Sequence, residues 1–536
     1  MKRSLQYLIS VITGVMLSLP WLGFPGWLLF VAWVPLLVLD NYYVSERQSE
    51  KSISFWFHAF LAFLIWNILT TWWIVHATAV GAMLAIVANS LLMSVAVWLA
   101  HLVRRNSQGL MGYLAWLSFW LTFEFFHYHW DIEWPWLTLG NGFANNIRIV
   151  QWFEYTGVLG GSVWVLTVNF ILYRLMVIWL AGQKSVRVMK TGITAFLFLF
   201  IPVIISVTIY NRYEEASDPR KILIVQPNID PYSETFDDGA LNDKLTKFLS
   251  LAESGLSPEI DYIIGPETVF EQDWEESRLH EYPAFSHMQY LLRGGENTSL
   301  IIGASTYKIF REGEKLSSTA RHARDGNFAY DRYNSAIFAE PSGDYQVYHK
   351  SILVPGVEKM PFRKYLRFLD RFIIDLGGTT GSLGIQPYPS NFKAPNGDQL
   401  APVICYESVF GGYLTKFVRQ GAGLVVIITN DGWWKNTPGY RQHFSFARLR
   451  AIELRRSIAR SANTGISGVI NQRGDIQLRT SWWKEDAVIA EVNMNREKTF
   501  YVMYGDYPGR IAMFVSGLLL LYLVSVLMRK VKKNPH

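Results

Sequence analysis

Eight apolar runs constrain the fold of this 536-residue chain more than any other feature. A helix needs about 20 apolar residues to cross a bilayer, and most of the runs approach that length. They cover residues 5–22, 27–39, 55–75, 79–103, 110–126, 161–181, 191–210 and 511–528. Charged residues make up only 18% of the chain, against about 25% in average soluble proteins. The chain is therefore predicted to be a membrane protein. Because further runs follow the first one directly, that run is interpreted as a retained span rather than a signal peptide.

Short clusters of lysine and arginine beside the runs predict the topology. All of them fall on one side of the membrane if the chain has eight spans, and the positive-inside rule makes that side the cytoplasm. The net charge of +6 is therefore attributed to topology rather than to nucleic-acid binding. Three domains are expected: seven transmembrane helices in residues 1–211, a periplasmic domain in 220–497 and a closing transmembrane helix in 510–529. The predicted location is a bacterial inner membrane.

The segment between the fifth and sixth runs, residues 127–159, is rich in tryptophan. It is interpreted either as an interfacial aromatic belt or as a re-entrant segment that helps to hold a lipid. Glu124 and Asn169 lie inside apolar runs. Each is expected to face a cavity or a partner helix, or to make a polar packing contact.

From residue 221 to about 495 the pattern changes to short β-branched runs that alternate with helical stretches. A helix is predicted over 238–256, and a hairpin joins strands at 336–339 and 345–348. This pattern indicates an α/β domain of one or two sheets covered by helices. A further helix is predicted over 442–459. Because it carries His443 and several arginines, it is interpreted as a solvated or ion-paired surface, with a phosphate-binding face as the alternative.

Three reactive side chains follow predicted strands in this domain: Glu267, Lys350 and Cys405. Cys405 is the only cysteine, which excludes an intrachain disulfide and a multi-cysteine metal site. A carboxylate can take the proton of a thiol, and an ammonium group can stabilise an oxyanion, so the three together can perform acyl transfer without metal or cofactor. The alternative for Cys405 alone is a small buried hydrophobic residue.

The local sequences around these residues carry a resemblance to a known family. They read Gly265-Pro266-Glu267-Thr268, Tyr348-His349-Lys350 before Leu353-Val354-Pro355, and Ile404-Cys405-Tyr406-Glu407. In that order they resemble the signature of the nitrilase, or carbon–nitrogen hydrolase, superfamily. With the apolar runs added, the chain resembles the apolipoprotein N-acyltransferases, a membrane-bound bacterial family within it. The resemblance implies a multi-span α-helical membrane domain plus an extramembrane αββα sandwich.

The resemblance also implies roles for individual residues. Cys405 is expected to be the nucleophile, Glu267 the general base and Lys350 the oxyanion stabiliser. Supporting roles are implied for Asn334, Glu358, Tyr406 and Glu407. The family usually reads Val-Pro-Phe-Gly-Glu where this chain has Val354-Pro355-Gly356-Val357-Glu358, so the turn before Glu358 differs. No metal or cofactor is expected.

The implied reaction is a two-step acyl transfer. The donor is a phospholipid such as phosphatidylethanolamine, and the acceptor is the N-terminal amino group of diacylglyceryl-cysteine on an apolipoprotein. Two segments are candidates for substrate binding or a lid: residues 356–376, which include Phe362, and the pair Trp433 and Trp434. Ordinary packing is the alternative for both. A monomer is expected, since the chain supplies its own site.

Two other functions are compatible with the sequence. A membrane-anchored amidase or nitrilase-like hydrolase would use the same three residues on a small amide or nitrile. An inactive nitrilase-like scaffold or a lipid transporter would not need Cys405. The complete set of Glu267, Lys350 and Cys405 favours an enzyme, and the eight apolar runs favour the acyltransferase over the hydrolase.

Overall fold

The fold is described from a computed structural model of the full chain. The structure describes every residue except 46–51, 108, 231–237, 296, 324–325, 360–381 and 534–536. The chain divides into two compact units. The first comprises Met1–Val75, Ala79–Arg212 and Tyr504–His536, and the second comprises His76–Thr78 and Tyr213–Met503. Phe362 and most of the predicted 356–376 segment lie outside the described residues.

The first unit is helical, as the apolar runs predict. Among the described residues, seven helices are long and apolar enough to cross a membrane: Arg3–Leu22, Gly26–Ser45, Ile53–His76, Ala79–Asn106, Phe153–Leu180, Ser185–Arg212 and Tyr507–Lys530. The predicted fifth span corresponds to the helix Met111–Phe126, which has only 16 residues. A multi-span membrane region is thus confirmed.

The first helix of this unit buries small and polar side chains and exposes apolar ones. Helix Arg3–Ser18 buries Gln6, Ser10 and Thr13 against its neighbours. Its outer face exposes Leu8 and Ile12. A soluble helix shows the opposite arrangement, whereas helices in lipid pack through small and polar residues because lipid tails already solvate their apolar faces.

The tryptophan-rich segment after Met111–Phe126 folds into short 3₁₀ turns packed inside the first unit. The turns are Pro135–Leu137, Leu139–Phe143 and Ile147–Ile149. Trp136 is fully buried. Glu124 fastens the segment, because its Oε1 accepts hydrogen bonds from Trp120 Nε1 at 2.9 Å and from the Leu139 amide at 2.8 Å. Glu124 also lines a small cavity with Asn89 and His127. The lipid-holding role remains a prediction.

The second unit contains two β-sheets. The strands are β1 Pro219–Gln226, β2 Tyr262–Ile264, β3 Phe270–Glu275, β4 Ser299–Ile309, β5 Arg321–His322, β6 Ala329–Ala339, β7 Tyr345–His349, β8 Phe392–Lys393, β9 Gln399–Ile404, β10 Leu424–Thr429, β11 Ser457–Ala462, β12 Gly468–Ile470, β13 Ile476–Arg479 and β14 Asp486–Asn493. The first sheet has the order β14-β1-β2-β4-β6-β5, with β3 beside β4 and β7 beside β6. The second has the order β13-β12-β11-β10-β9-β8. The predicted hairpin is β6–β7.

Alternating side chains of β1 explain how the layers pack. Ile222 and Ile224 enter the core between the two sheets, where they join Val403 and Ile427 of the second sheet. Leu223 and Val225 point the other way, towards the helices Asp238–Gly255 and Pro283–Leu292. Helices Gly411–Arg419 and Pro438–Leu454 pack against the second sheet. The order helix–sheet–sheet–helix confirms the predicted αββα sandwich.

The predicted helix over 442–459 differs from the structure. The helix spans Pro438–Leu454 and ends at Arg455, whose φ of 49° is left-handed, and β11 follows. The interpretation as a solvated or ion-paired surface is wrong in its solvated part, because the helix is buried on most of its sides, whereas the ion pairing is present. Its charged residues bond inside the protein: Arg450 donates to the Val409 carbonyl and pairs with Glu453.

Candidate active site

The carboxyl ends of the parallel strands bring the reactive residues together. Strands β2 and β4 are parallel, as are β9 and β10. Their carboxyl ends therefore meet at one edge of each sheet, where α/β folds commonly bind ligands. Glu267 follows β2, and Cys405 follows β9. Lys350 follows β7, and its amide donates to the carbonyl of Asn334 at 2.8 Å.

Two carboxylates flank the ammonium group of Lys350. Its Nζ lies 2.8 Å from Glu358 Oε1 and 3.4 Å from Glu267 Oε1. Asn334 Nδ2 bridges the same two oxygens, donating to Glu267 at 2.8 Å and to Glu358 at 3.0 Å. Glu358 keeps this place despite its altered turn, because its Oε2 also accepts from the Val354 amide at 2.7 Å.

The surroundings hold Lys350 charged. It is only 1% exposed, and this burial lowers the pKa of the ammonium. The carboxylates of Glu358 and Glu267 outweigh burial, so the pKa of Lys350 lies above its usual value. A charged lysine at neutral pH can donate to a developing oxyanion.

Cys405 lies where β9 turns into a short 3₁₀ helix, Cys405–Val409. Its φ is 49°, in the left-handed region that L-residues rarely adopt. Burial raises the pKa of the thiol, and the negative charge of Glu267 raises it further, while Lys350 lowers it. The net direction is upward, so the resting thiol is protonated and needs a base in order to react.

Glu267 reaches the site on a turn that lies tightly against β4. At Gly303 an added Cβ would lie 2.6 Å from the Glu267 Cα and 2.6 Å from the Thr268 amide nitrogen. Only glycine leaves room for this turn. Glu267 Oε2 also accepts from the Asn430 amide at 3.0 Å, so both carboxylate oxygens are held.

Glu407 links the Cys405 turn to the segment after Lys350. Its Oε2 accepts from the Ile404 amide at 2.8 Å, and its Oε1 accepts from the Ser351 amide and the Tyr348 hydroxyl, both at 2.7 Å. Burial raises the pKa of Glu407 to about 7, although these hydrogen bonds lower it. Tyr406 is buried beside Phe410, with ring centroids 5.2 Å apart.

Trp433 and Trp434, the lid candidates that follow the end of β10, differ in exposure. Trp433 is 41% exposed, whereas Trp434 is partly buried and meets the ring of His443 edge-on at 5.4 Å. Their lid role remains a prediction.

Sequence reasoning missed four residues around Cys405 as members of the site: Ser408, Asp431, His443 and Arg460. All are buried and joined by hydrogen bonds. Asp431 lies two residues past the end of β10, and a similar position after β2 predicts Glu267. Across the residues that the structure describes, no group of three or more His, Cys, Asp or Glu side chains could hold a metal ion.

The fold and the site together define the class of protein. Residues 224–500 match the carbon-nitrogen hydrolase family. This match covers more than half of the chain, so the chain belongs to that family. Residues 13–171 match a second family, described as the apolipoprotein N-acyltransferase N-terminal domain.

Relatives that match over nearly the full length of the chain point to a narrower group of proteins. The chain is 28% identical to an apolipoprotein N-acyltransferase of Chlorobaculum tepidum, over 97% of this chain and 96% of that protein. It is 25% identical to one of Geobacter metallireducens, over 94% and 92%. Among solved structures it is similar to Nit3 of Saccharomyces cerevisiae, a nitrilase superfamily member, at 16% identity over 54% of this chain and 95% of that chain, with a TM-score of 0.36.

Proposed function

We propose that this protein transfers an acyl chain from a phospholipid to the N-terminal amino group of diacylglyceryl-cysteine on an apolipoprotein. This is the last step of bacterial lipoprotein maturation. The observation that carries the proposal is the charge-held pair Glu267 and Lys350 beside the only thiol of the chain. The named relatives, matched over nearly the full length, support the choice of substrates.

In the first half-reaction Glu267 takes the proton of the Cys405 thiol. The thiolate then attacks an ester carbonyl of the phospholipid, and Lys350 donates to the oxyanion that forms. When the tetrahedral intermediate collapses, the glycerol oxygen leaves with the proton held by Glu267. The products are a thioester on Cys405 and a lysophospholipid.

In the second half-reaction the amino group of the acceptor attacks the thioester carbonyl. Glu267 accepts a proton from the attacking nitrogen, and Lys350 again binds the oxyanion. Collapse of the intermediate forms the amide and expels the Cys405 thiolate, which recovers a proton from Glu267. Two moderate steps replace one difficult transfer, because the thioester keeps the acyl group activated.

Glu358 and Asn334 have supporting roles in this proposal. Asn334 donates to the carboxylate of Glu267, and Glu358 accepts from the ammonium of Lys350. Together they fix the distance between the base and the cation. Glu407 ties the nucleophile turn to the segment that carries Lys350. Trp433, Trp434 and Phe362 are proposed to contact the acyl chains, which remain in the bilayer.

The proposed location is a bacterial inner membrane, with the catalytic domain of residues 220–497 in the periplasm. The seven candidate spans support membrane attachment. The lysine and arginine clusters support the orientation. A membrane-embedded enzyme meets both lipid substrates in the plane of the bilayer, and we propose that it acts as a monomer.

Intact-mass spectrometry of the full chain tests the proposal. The purified protein is incubated with phosphatidylethanolamine alone, and one acyl mass is expected on the wild type and none on Cys405→Ala. Adding a diacylglyceryl-cysteine peptide should remove that mass and convert the peptide to its amide. The acyltransferase proposal fails if folded wild type never gains the acyl mass.

A hydrolase is the second candidate, because the family match is to carbon-nitrogen hydrolases. The same experiment separates the two. If the acyl mass disappears into water as fast as into the peptide, the protein acts as a hydrolase on this thioester.

A further inference from the structure

Four buried polar side chains that take no part in the proposed chemistry lie behind Cys405. Ser408 belongs to the turn Cys405–Val409, Asp431 follows β10, His443 lies in the helix Pro438–Leu454 and Arg460 lies in β11. None is more than 2% exposed. Burying polar groups has a cost that is offset only when all of them are hydrogen-bonded, so their arrangement calls for a specific role.

Two of these side chains converge on the carbonyl oxygen of Cys405 itself. Ser408 Oγ donates to it at 2.7 Å, and His443 Nε2 lies 3.2 Å from it. Ser408 Oγ and His443 Nε2 are also 2.8 Å apart. A carbonyl oxygen can only accept, and Ser408 Oγ can accept a hydrogen bond from Nε2 while it donates to that carbonyl. The hydrogen on His443 Nε2 must therefore be present for both of its contacts to be favourable.

The other two side chains keep that hydrogen in place. His443 Nδ1 lies 3.0 Å from Asp431 Oδ1 and 3.0 Å from Arg460 Nη2. In the neutral ring, Nδ1 accepts from Arg460 and the proton stays on Nε2. In the imidazolium, Nδ1 donates to Asp431, and Nε2 is again protonated. Arg460 also binds Asp431 Oδ2 at 2.8 Å, which neutralises the buried carboxylate.

The backbone of Cys405 explains why its carbonyl needs two donors. With φ at 49° the residue is in a conformation that persists only when its surroundings impose it. Relaxation of this dihedral would turn the Cα–Cβ bond and move the sulfur relative to Glu267 and Lys350. A displacement of about 1 Å in a reacting atom can lower a rate about 100-fold.

We infer that Ser408 and His443 are positioning residues, which hold the Cys405 backbone in its left-handed conformation by donating two hydrogen bonds to its carbonyl oxygen. Asp431 and Arg460 orient the imidazole and keep its Nε2 protonated. The inference rests on the proposed role of Cys405 as nucleophile, but it does not depend on which acyl donor or acceptor is used.

The test uses an activated ester, p-nitrophenyl butyrate, with the full-length protein in detergent. Acylation of Cys405 releases p-nitrophenolate, and the acyl mass that wild type gains but Cys405→Ala does not reports this residue, the only cysteine of the chain. The variants are Ser408→Ala, His443→Phe and His443→Gln. Ser445→Ala is the matched control, because this buried serine lies on the helix of His443 and, within the described residues, donates to the carbonyls of Arg441 and Gln442 on that helix alone.

The maximal acylation rate should fall about fivefold in Ser408→Ala and in His443→Phe, the loss expected for one hydrogen bond. The half-saturating ester concentration should not change, since neither side chain contacts the ester. His443→Gln, which can place an amide donor near the same carbonyl, should recover most of the rate, and Ser445→Ala should match the wild type. A role in folding alone would reduce the reacting fraction of molecules but not the rate of those that react.

Wild-type rates in both Ser408→Ala and His443→Phe would overturn the inference, and so would a His443→Gln variant as slow as His443→Phe. Ser408→Ala removes one oxygen only, so it keeps the test usable if the phenylalanine variant does not fold. A wild type that reacts with the activated ester but not with phosphatidylethanolamine refutes the proposed function and leaves this inference standing. A wild type that reacts with neither refutes both.

Discussion

Two buried charge clusters, one in each unit, differ in their balance of charge. In the membrane unit, Asp40 Oδ1 bonds to His101 Nδ1 at 2.5 Å, and its Oδ2 bonds to Arg104 at 2.5 Å and Trp116 at 3.2 Å. One carboxylate faces one guanidinium. In the second unit, the single ammonium of Lys350 faces both Glu267 and Glu358.

The difference separates a structural cluster from a reactive one. A matched pair of charges leaves no net charge to be compensated, so it fixes the packing of helices. A second carboxylate beside one ammonium leaves an excess negative charge in a low-dielectric site. The proposed proton transfer from Cys405 to Glu267 keeps this net charge and moves it from the carboxylate to the attacking thiolate.

The largest expected effect comes from removing the excess charge. Glu267→Gln leaves Glu358 and Lys350 as a matched pair and removes the base. We expect the rate of acyl-enzyme formation to fall about 10³-fold or more, with stability largely retained. Single-turnover intact-mass measurements give the rate. A variant with more than a tenth of the wild-type rate would show that another group deprotonates the thiol.

Removing the cation should affect both stability and rate. Lys350→Met keeps the length of the side chain but leaves two buried carboxylates without their cation. We expect a loss of about 3 kcal/mol in the free energy of unfolding and of about 100-fold or more in acylation. Denaturant midpoints in detergent measure the first and the ester assay the second. Lys350→Arg is the control, since it restores the charge but not the geometry.

The structural cluster should respond in stability alone. Asp40→Asn leaves the Arg104 guanidinium, whose side chain is only 12% exposed, without its counter-charge. We expect a loss of about 3 kcal/mol in the free energy of unfolding, with the acylation rate per folded molecule unchanged. The neighbouring Asn41→Ala, which removes a neutral acceptor of Arg104, should cost about 1 kcal/mol. A changed rate in Asp40→Asn would remove the distinction between the clusters.

A third carboxylate should make stability depend on pH. The nearest hydrogen-bond donors to Glu407 are two backbone amides and a tyrosine hydroxyl, all of which are neutral. Burial raises the pKa of Glu407 in the native state to about 7, above the ordinary 4.5. The native state therefore binds this proton more tightly than the unfolded state, and the stabilisation falls as the pH rises. We expect a loss of about 2 kcal/mol between pH 5 and pH 7. Glu407→Gln should flatten this part of the profile, and an equal slope in that variant would assign it to another group.

The sequence predicts those parts of the site that depend on short local patterns. Cys405 directly follows an apolar run and Glu267 lies three residues past one, and such runs become parallel strands whose ends converge. Asn334 was identified through the family resemblance, and the register Ser305↔Asn334 now explains how it reaches Glu267.

Residues whose roles depend on tertiary contacts could not be predicted. The arginines near His443 predict a solvated or ion-paired surface, yet Arg456 is buried and its Nε donates to the Ala422 carbonyl at 2.7 Å. Nothing in the local sequence distinguishes an arginine that bonds to a distant carbonyl from one that faces water. Ser408 was overlooked for the same reason, because its partner His443 is 35 positions away.

The missing side chain at Gly303 has a consequence for anyone who redesigns this scaffold. A Cβ there would lie 2.9 Å from the Pro266 carbonyl oxygen as well as against the Glu267 turn. Libraries that diversify the walls of the site should therefore leave position 303 constant, since any larger residue displaces the base before a substrate arrives. New specificity is better sought at exposed positions such as Trp433, where side chains can change without moving the backbone beneath them.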